Sequence, residues 1–597
     1  MAQYFSRRNL NFLLHEVFQA TELTKYPYFA AHDRETFDMT IDAVTQIADN
    51  LMFPYLREID RNQPELHNGK VTVHPKVGEY LKAMGEAGLI GAGFSFDDGG
   101  QQLPELINSS LGFIVMAANN GMMYTGLTSG AAGLILSFGS PELKQTYVPQ
   151  MLAGKWQGTM ALTEPQAGSS LSDITTTAYP QPDGTYLIKG QKVFISAGDH
   201  DQCENIIHLL LARIEGAPKG TKGISLFVVP KYRLDGTDND ITSTGIYHKL
   251  GQHGVPAMHL TLGDRDDCHG WLVGEPHKGL SYMFQMMNEA RIGVGMTGAA
   301  IASAAYCASL QYAKERPQSR RLNEKSALDT PQVPIIQHPD VKRMLLLQKA
   351  VVEGSLSLLM EAARYGDIAH ASQDPEEKEK YHLLLELLTP IAKTYPTEMG
   401  LVAVSNGLQV LGGYGFTEDF PLEQYYRDIR ITPIYEGTTG IQSQDLLGRK
   451  MTMNGGKAPK LLFGEMMATI AEAATHDELK PYAQKLKTEL QRLQEVTMTL
   501  MPYAAKGDIE RFLMDATLYM EMFSITVVAW QWLKQGVVAK KALLLQNPEG
   551  EELAFYEGKI QTMKYFFHYE VPKTLGLAER LKDTEVLTIT TEKEWAL

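Results

Sequence analysis

A change of texture between about residues 158 and 275 constrains this chain more than any other feature. Before it, from Thr36 to about Lys155, apolar residues recur at helical spacing, with Met39, Ala43, Ile47 and Leu51 on one face. Ser140-Pro141-Glu142-Leu143 reads as a helix start, with Ser as the cap and Pro in the first helical position. Within the changed stretch, short β-branched runs alternate with turn signals. Thr185 to Ser196 follows Pro182-Asp183-Gly184, and Ile206 to Ile214, Gly223 to Pro230 and Met258 to Leu262 come after. Strands at that spacing predict a small sandwich or barrel. From Leu280 to Arg449 long helical patterns return, including Val341 to Tyr365 and Leu383 to Leu411.

At 597 residues the chain is too long for a single core. The spacing predicts a multidomain α+β protein. It has an arm at 1–35, a helical domain at 36–157, a β-sandwich or barrel at 158–275, a helical bundle at 276–450 and a helical extension at 451–597. Met453-Asn454-Gly455-Gly456-Lys457-Ala458-Pro459 reads as the linker into that extension. A net charge of −15 argues against nucleic acid as the main partner. The three cysteines, Cys203, Cys268 and Cys307, make neither a disulfide framework nor a zinc pattern, and suit a reducing compartment. No secretory leader pattern follows Met1, and no run of 18 uninterrupted apolar residues occurs. A cytoplasmic protein without integral membrane association is expected.

The richest motif is Ile431-Thr432-Pro433-Ile434-Tyr435-Glu436-Gly437-Thr438-Thr439-Gly440. Gly437 lets backbone come close to a ligand, and the threonines offer hydroxyls. An acid on such a turn, against apolar neighbours, can be partly desolvated and so become a stronger base. Taken alone, Glu-Gly-Thr also fits a surface turn capped by Thr. It is preceded by Met160-Ala161-Leu162-Thr163-Glu164-Pro165-Gln166-Ala167-Gly168-Ser169 and Gly190-Gln191-Lys192-Val193-Phe194-Ile195-Ser196. Arg316-Pro317-Gln318, Gln409-Val410-Leu411-Gly412-Gly413 and Tyr426-Arg427-Asp428-Ile429-Arg430 complete the ordered set.

In this order and spacing the motifs resemble the acyl-CoA dehydrogenase flavoprotein family, over roughly Val73 to Arg449. The extension resembles the long bacterial branch of that family. The resemblance implies a helical–sheet–helical plan, FAD as cofactor, and α,β-dehydrogenation of an acyl-CoA with Glu436 as the base. It implies an electron-transfer flavoprotein as acceptor and a homodimer, with no metal. Met160, Leu162, Thr163, Phe194 and Ser196 would then face the flavin ring, with Gly168, Ser169 and Thr438 also near the cofactor. Arg316, Gln318, Gln409, Gly412 and Gly413 would reach the pyrophosphate and adenine. Ser169, Arg291 and Gly437 would join Glu436 against substrate, Arg291 from an Asn288-Glu289-Ala290-Arg291 segment read as opening a long helix. Arg427, Asp428 and Arg430 read as internal ion pairs.

Ser170, Ser319-Arg320 and Gly440 depart from the usual family pattern, which puts individual cofactor contacts and substrate selectivity in doubt. A flavin oxidase acting on acyl-CoA, or a DNA-binding relative, are the alternatives. The unbiased charge of the extension speaks against the second.

Overall fold

The structure, a computed structural model, describes residues 4–324 and 329–590. Residues 1–3 of the expected arm and 591–597 of the expected extension lie outside them. The chain forms two compact units, His32–Ala290 and Met1–Ala31 together with Arg291–Leu597. The division falls inside the long helix Gly279–Glu315.

In the first unit, helices Arg34–Ile47, Lys76–Glu86, Glu105–Asn119, Tyr124–Phe138 and Pro141–Leu152 precede the sheet. Ser140 caps the last of these, its hydroxyl accepting the Leu143 N–H at 3.3 Å. The region before residue 155 is mainly helical as expected, and also holds a hairpin that the helical spacing did not mark, β1 (Glu65–His67) and β2 (Lys70–Thr72). Its turn is Asn68-Gly69, both at positive φ, which is the local chemistry a two-residue hairpin requires.

Eight strands then build one sheet: β3 (Trp156–Ala161), β4 (Thr177–Pro180), β5 (Tyr186–Ser196), β6 (Asn205–Ile214), β7 (Ile224–Pro230), β8 (Ile241–Ile246), β9 (Ala257–Leu262) and β10 (His269–Val273). The order is β10-β7-β6-β4-β5-β9-β8, with β3 parallel to β6 and β10 also paired to β5. That double pairing of β10 bends the sheet back on itself, as the small barrel expectation requires. Leu210, Phe227, Val229, Ile188, Met258 and Leu260 fill its interior. Gly158 of β3 must be glycine, because an added Cβ would lie 2.7 Å from the Ala131 methyl on helix Tyr124–Phe138.

In the second unit, helices Pro339–Ala371 and Pro375–Leu411 are joined by the short turn Ser372–Asp374, and Asp374 caps the second by accepting the Glu376 N–H at 3.0 Å. Pro390 and Pro396 interrupt the hydrogen-bond ladder of Pro375–Leu411. Pro396 has no N–H for the Ala392 carbonyl, and Gly295 of helix Gly279–Glu315 packs there so closely that a Cβ would lie 2.0 Å from that oxygen. This crossing brings Arg291, one turn before Gly295, against the middle of Pro375–Leu411. The segment 288–291 therefore lies inside a helix rather than opening one. Its polar residues mimic a cap, while Leu280 and Met283 are already helical and buried.

The extension supplies helices Met453–Ala473, Lys480–Ala505, Ala516–Leu545, Gly550–Tyr569 and Lys573–Lys582. Asn454, Gly455 and Gly456 all take positive φ, so the linker-like stretch is a break in the chain's helical run. The arm packs into this unit through buried Leu10, Phe12, Leu13 and Leu14. Lys559, fully buried, donates to Glu353 and Gln535 at 2.9 Å each and to Asn9, tying arm, bundle and extension together. Among the described residues, two helical stretches, Glu289–Glu315 and Ile509–Leu545, are long and apolar enough to cross a membrane, but 72% and 67% of their most apolar windows are buried inside the protein. That is the pattern of core helices.

Candidate active site

Strand β3 ends at Ala161, and the chain continues through Leu162 and Thr163 into a loop carrying Gly168 and Ser169, both exposed. Met160, Leu162 and Thr163 are half-buried, and so is Ser196. The β5–β9 ladder shifts register between Lys192 and Ile195. A bulge of this kind re-aims a side chain. Here it puts Phe194 at φ 59 and leaves it 60% exposed, its ring stacked on Tyr247 with centroids 4.3 Å apart. The Val193 N–H donates to the Thr163 carbonyl at 2.9 Å. Thus Leu162–Thr163 and Phe194–Ser196 lie side by side.

A buried ion pair holds the two segments together. The Lys192 ammonium donates to Glu164 at 2.8 Å and to the Leu162 carbonyl at 3.0 Å, with both side chains almost wholly out of solvent. Glu164 also accepts the N–H groups of Thr175 at 2.6 Å and Thr176 at 3.1 Å. Burial opposes its ionisation, but the Lys192 charge and these donors prevail and hold its pKa down to about 2.

In the other unit, Glu436 sits on the predicted turn in the left-handed region at φ 54, followed by Gly437 at φ 89. A non-glycine residue there costs on the order of 1–2 kcal/mol, so neighbours must impose the conformation. They are identifiable. The fully buried Lys393 donates to the Gly437 carbonyl at 2.9 Å, and Gln442 donates to the Glu436 carbonyl at 3.3 Å. The Thr439 N–H reaches the Pro433 carbonyl at 3.1 Å, and its hydroxyl donates to Glu398. Burial raises the Glu436 carboxyl above the ordinary carboxylate range, while Arg291 and Lys393 draw it back in part. Arg291 itself is buried and paired with Asp445 at 3.3 Å. Thr438 caps the short helix Thr439–Gln444 through the Ile441 N–H. Arg427 pairs with Glu423 at 2.8 Å within its own helix.

Gly437→Ala tests the turn. Its φ is foreign to Ala, and a Cβ would sit 2.5 Å from the Gln442 amide nitrogen. The variant is expected to retain cofactor yet to reduce it with substrate at least about 10-fold more slowly, because the adjacent carboxylate is displaced. Single-turnover absorbance checks this.

Helix Pro375–Leu411 ends in Gly412, at φ 60 and ψ −136, and Gly413; an added Cβ on either would meet nothing within 4 Å. Exposed Gln409 lies just before them, and the Arg316 guanidinium stands 5.9 Å from the Tyr414 ring centroid. The Gln318 carbonyl lies 2.8 Å from the His338 Nε2. Arg316 and the glycine turn are therefore neighbours.

Four family descriptions match consecutive stretches. Acyl-CoA dehydrogenase, N-terminal domain, covers 34–155; middle domain, 159–264; C-terminal domain, 277–451; and Acetyl-CoA dehydrogenase C-terminal like, 462–591. The chain belongs to the acyl-CoA dehydrogenase family. It is 37% identical over 538 residues to the 3-methylmercaptopropionyl-CoA dehydrogenase of Ruegeria pomeroyi, covering 88% of each chain. It is 34% identical over 620 residues to the broad-specificity linear acyl-CoA dehydrogenase FadE5 of Mycobacterium tuberculosis, covering 99% of each. A butyryl-CoA dehydrogenase of Syntrophomonas wolfei is 36% identical over 79% of this chain and 78% of its own. The fold is that of Caenorhabditis elegans ACDH-11 in complex with C11-CoA (TM-score 0.75, 19% identity, 98% and 97% covered). It is also that of a Bacillus anthracis acyl-CoA dehydrogenase complexed with FAD (TM-score 0.74, 20% identity, 92% and 88% covered). As a member of this family, the enzyme is an FAD-dependent oxidoreductase of the acyl-CoA CH–CH bond.

The donor sets fit FAD. An exposed guanidinium, carboxamides and open glycine backbone suit an adenine nucleotide with its pyrophosphate. The exposed face of Phe194 beside backbone edges and hydroxyls suits a flat heterocycle with polar rims. The motif reading gives no role to Lys393, Gln442, Glu398 or the Lys192–Glu164 pair. Their sequence signals are a Lys between the two prolines of helix Pro375–Leu411, and an acid and a base within two motifs of opposite charge.

Proposed function

We propose that Glu436 removes the α-proton of an acyl-CoA while the β-hydrogen leaves as hydride. The observation that carries this is a half-buried carboxylate, its pKa raised, on a left-handed turn held by a buried lysine, in a chain of this family. FAD, when bound, supplies the hydride acceptor. Thr163, Phe194 and Ser196 would hold its ring, with Met160, Leu162, Gly168, Ser169 and Thr438 close by; Arg316, Gln318, Gln409, Gly412 and Gly413 would hold its adenine and pyrophosphate half. Partial burial makes Glu436 a better base than a solvated carboxylate, and its N–H would polarise a thioester oxygen as negative charge develops there. Arg291, already balanced by Asp445, contributes charge beside the base; Ser169 is the second candidate toward CoA.

The names of the relatives, butyryl, 3-methylmercaptopropionyl and broad-specificity linear acyl, support unbranched acyl groups, short ones among them, as substrates. An electron-transfer flavoprotein in the cytoplasm is the proposed acceptor. A homodimer is supported by Phe416, 96% exposed beside half-exposed Tyr414, near Arg316. Light scattering is expected to return twice 66.4 kDa; a flavin-loaded monomer would contradict it. The activity itself is tested by mixing the FAD-loaded protein with butyryl-CoA under argon and then admitting air. Bleaching under argon with slow recolouring in air is expected of a dehydrogenase. Rapid recolouring with peroxide release would mark an oxidase.

A further inference from the structure

We infer that Lys393 is a positioning residue for the base: its ammonium holds the Gly437 carbonyl and, with Arg291, sets the charge that the Glu436 carboxylate meets. This rests on Glu436 being the base. Lys393 is wholly buried in helix Pro375–Leu411, between Pro390 and Pro396. Among the described residues its one hydrogen-bond acceptor is the Gly437 carbonyl, at 2.9 Å. An ammonium taken out of water for one neutral acceptor is a poor bargain for stability, and an apolar side chain of similar volume would serve packing better. The position is explained instead by what the ammonium faces.

Glu436 and Arg291 reach it from the turn and from helix Gly279–Glu315, and Glu398 from its own helix. Behind Arg291 stand Asp445, Arg449 and Glu386, and Lys450 pairs with Glu386. Two cations, Lys393 and Arg291, thus act on the Glu436 carboxylate through their charge, neither in an ion pair with it. Burial pushes the Lys393 ammonium down to about 8, although Glu398 and Glu436 oppose that and Arg291 adds to it. Its charge is therefore lost as pH rises through about 8. The same residue fixes the turn's backbone and tunes its acid.

The test follows flavin reduction by butyryl-CoA against pH under argon. It compares the full-length FAD-loaded protein with Lys393→Met, Lys393→Gln and Lys393→Arg, with FAD content and acyl-CoA affinity measured alongside. A carboxylate that loses a cationic neighbour is harder to ionise. The midpoint of the acid limb is expected to rise by at least about half a pH unit in Met and Gln, lowering the rate below that midpoint about 3-fold or more, and to return toward the parent in Arg. Should the Met variant lose FAD, the Gln variant carries the comparison. An acid limb unmoved in the neutral variants that keep FAD would overturn the inference. So would loss of FAD in both neutral variants while Arg keeps it, which would assign Lys393 to folding alone. If Glu436→Gln is inactive while the Lys393 variants keep the parent profile, only the present inference fails. If Glu436→Gln is active, the reading of the base fails with it.

Discussion

Glu436→Gln is expected to fold, bind FAD and bind an acyl-CoA, yet to reduce its flavin with substrate at least about 10³-fold more slowly, within the usual reach of a general base. Gln is nearly isosteric and keeps the backbone N–H at position 436 and the turn built by Lys393 and Gln442. The lost rate would therefore isolate proton transfer. Glu436→Asp is expected to keep partial activity, its carboxylate set back by one methylene. Because burial raises the Glu436 carboxyl, the parent rate should fall as pH drops through a midpoint above the ordinary carboxylate range. A Gln variant within a few-fold of the parent would make Glu436 a turn residue.

Lys192→Met is expected to cost about 3–5 kcal/mol of stability and most of the bound FAD, because Glu164 is left charged and buried without its partner. Glu164→Gln should cost a similar amount, and the double variant less than either, since no lone charge remains. The acid dependence has a definite sign. Glu164 ionises in the folded protein at about 2, below its unfolded value, so its contribution is complete above about pH 4.5 and is lost as pH falls toward 2. Chemical denaturation at a series of pH values should show that loss in the parent and not in Glu164→Gln. Equal stability of parent and Lys192→Met would contradict the clamp proposed between the Leu162 and Phe194 segments.

The family and its layered plan were legible because the ordered motifs keep their spacing across the texture change near residue 275. The β5 motif could not reveal the bulge that turns Phe194 outward, since register is decided by the partner strand β9. Asn68-Gly69 carried a readable hairpin signal that helical spacing on either side obscured. The place of Arg291 depended on where helix Gly279–Glu315 begins, and boundaries are the weakest part of any pattern. Lys393 was invisible for a different reason. Its role comes from a turn whose Gly437 lies 44 residues later in sequence, brought beside it by tertiary packing.

The most direct measurement follows the α-hydrogen itself. With the flavin already reduced under argon, hydride cannot leave the β-carbon, so deuterium appearing at the α-carbon of butyryl-CoA in heavy water reports proton abstraction alone. The parent protein is expected to exchange that position, and Glu436→Gln to exchange it at least about 10²-fold more slowly. Exchange by Glu436→Gln at the parent rate would contradict the assignment of Glu436 as the base.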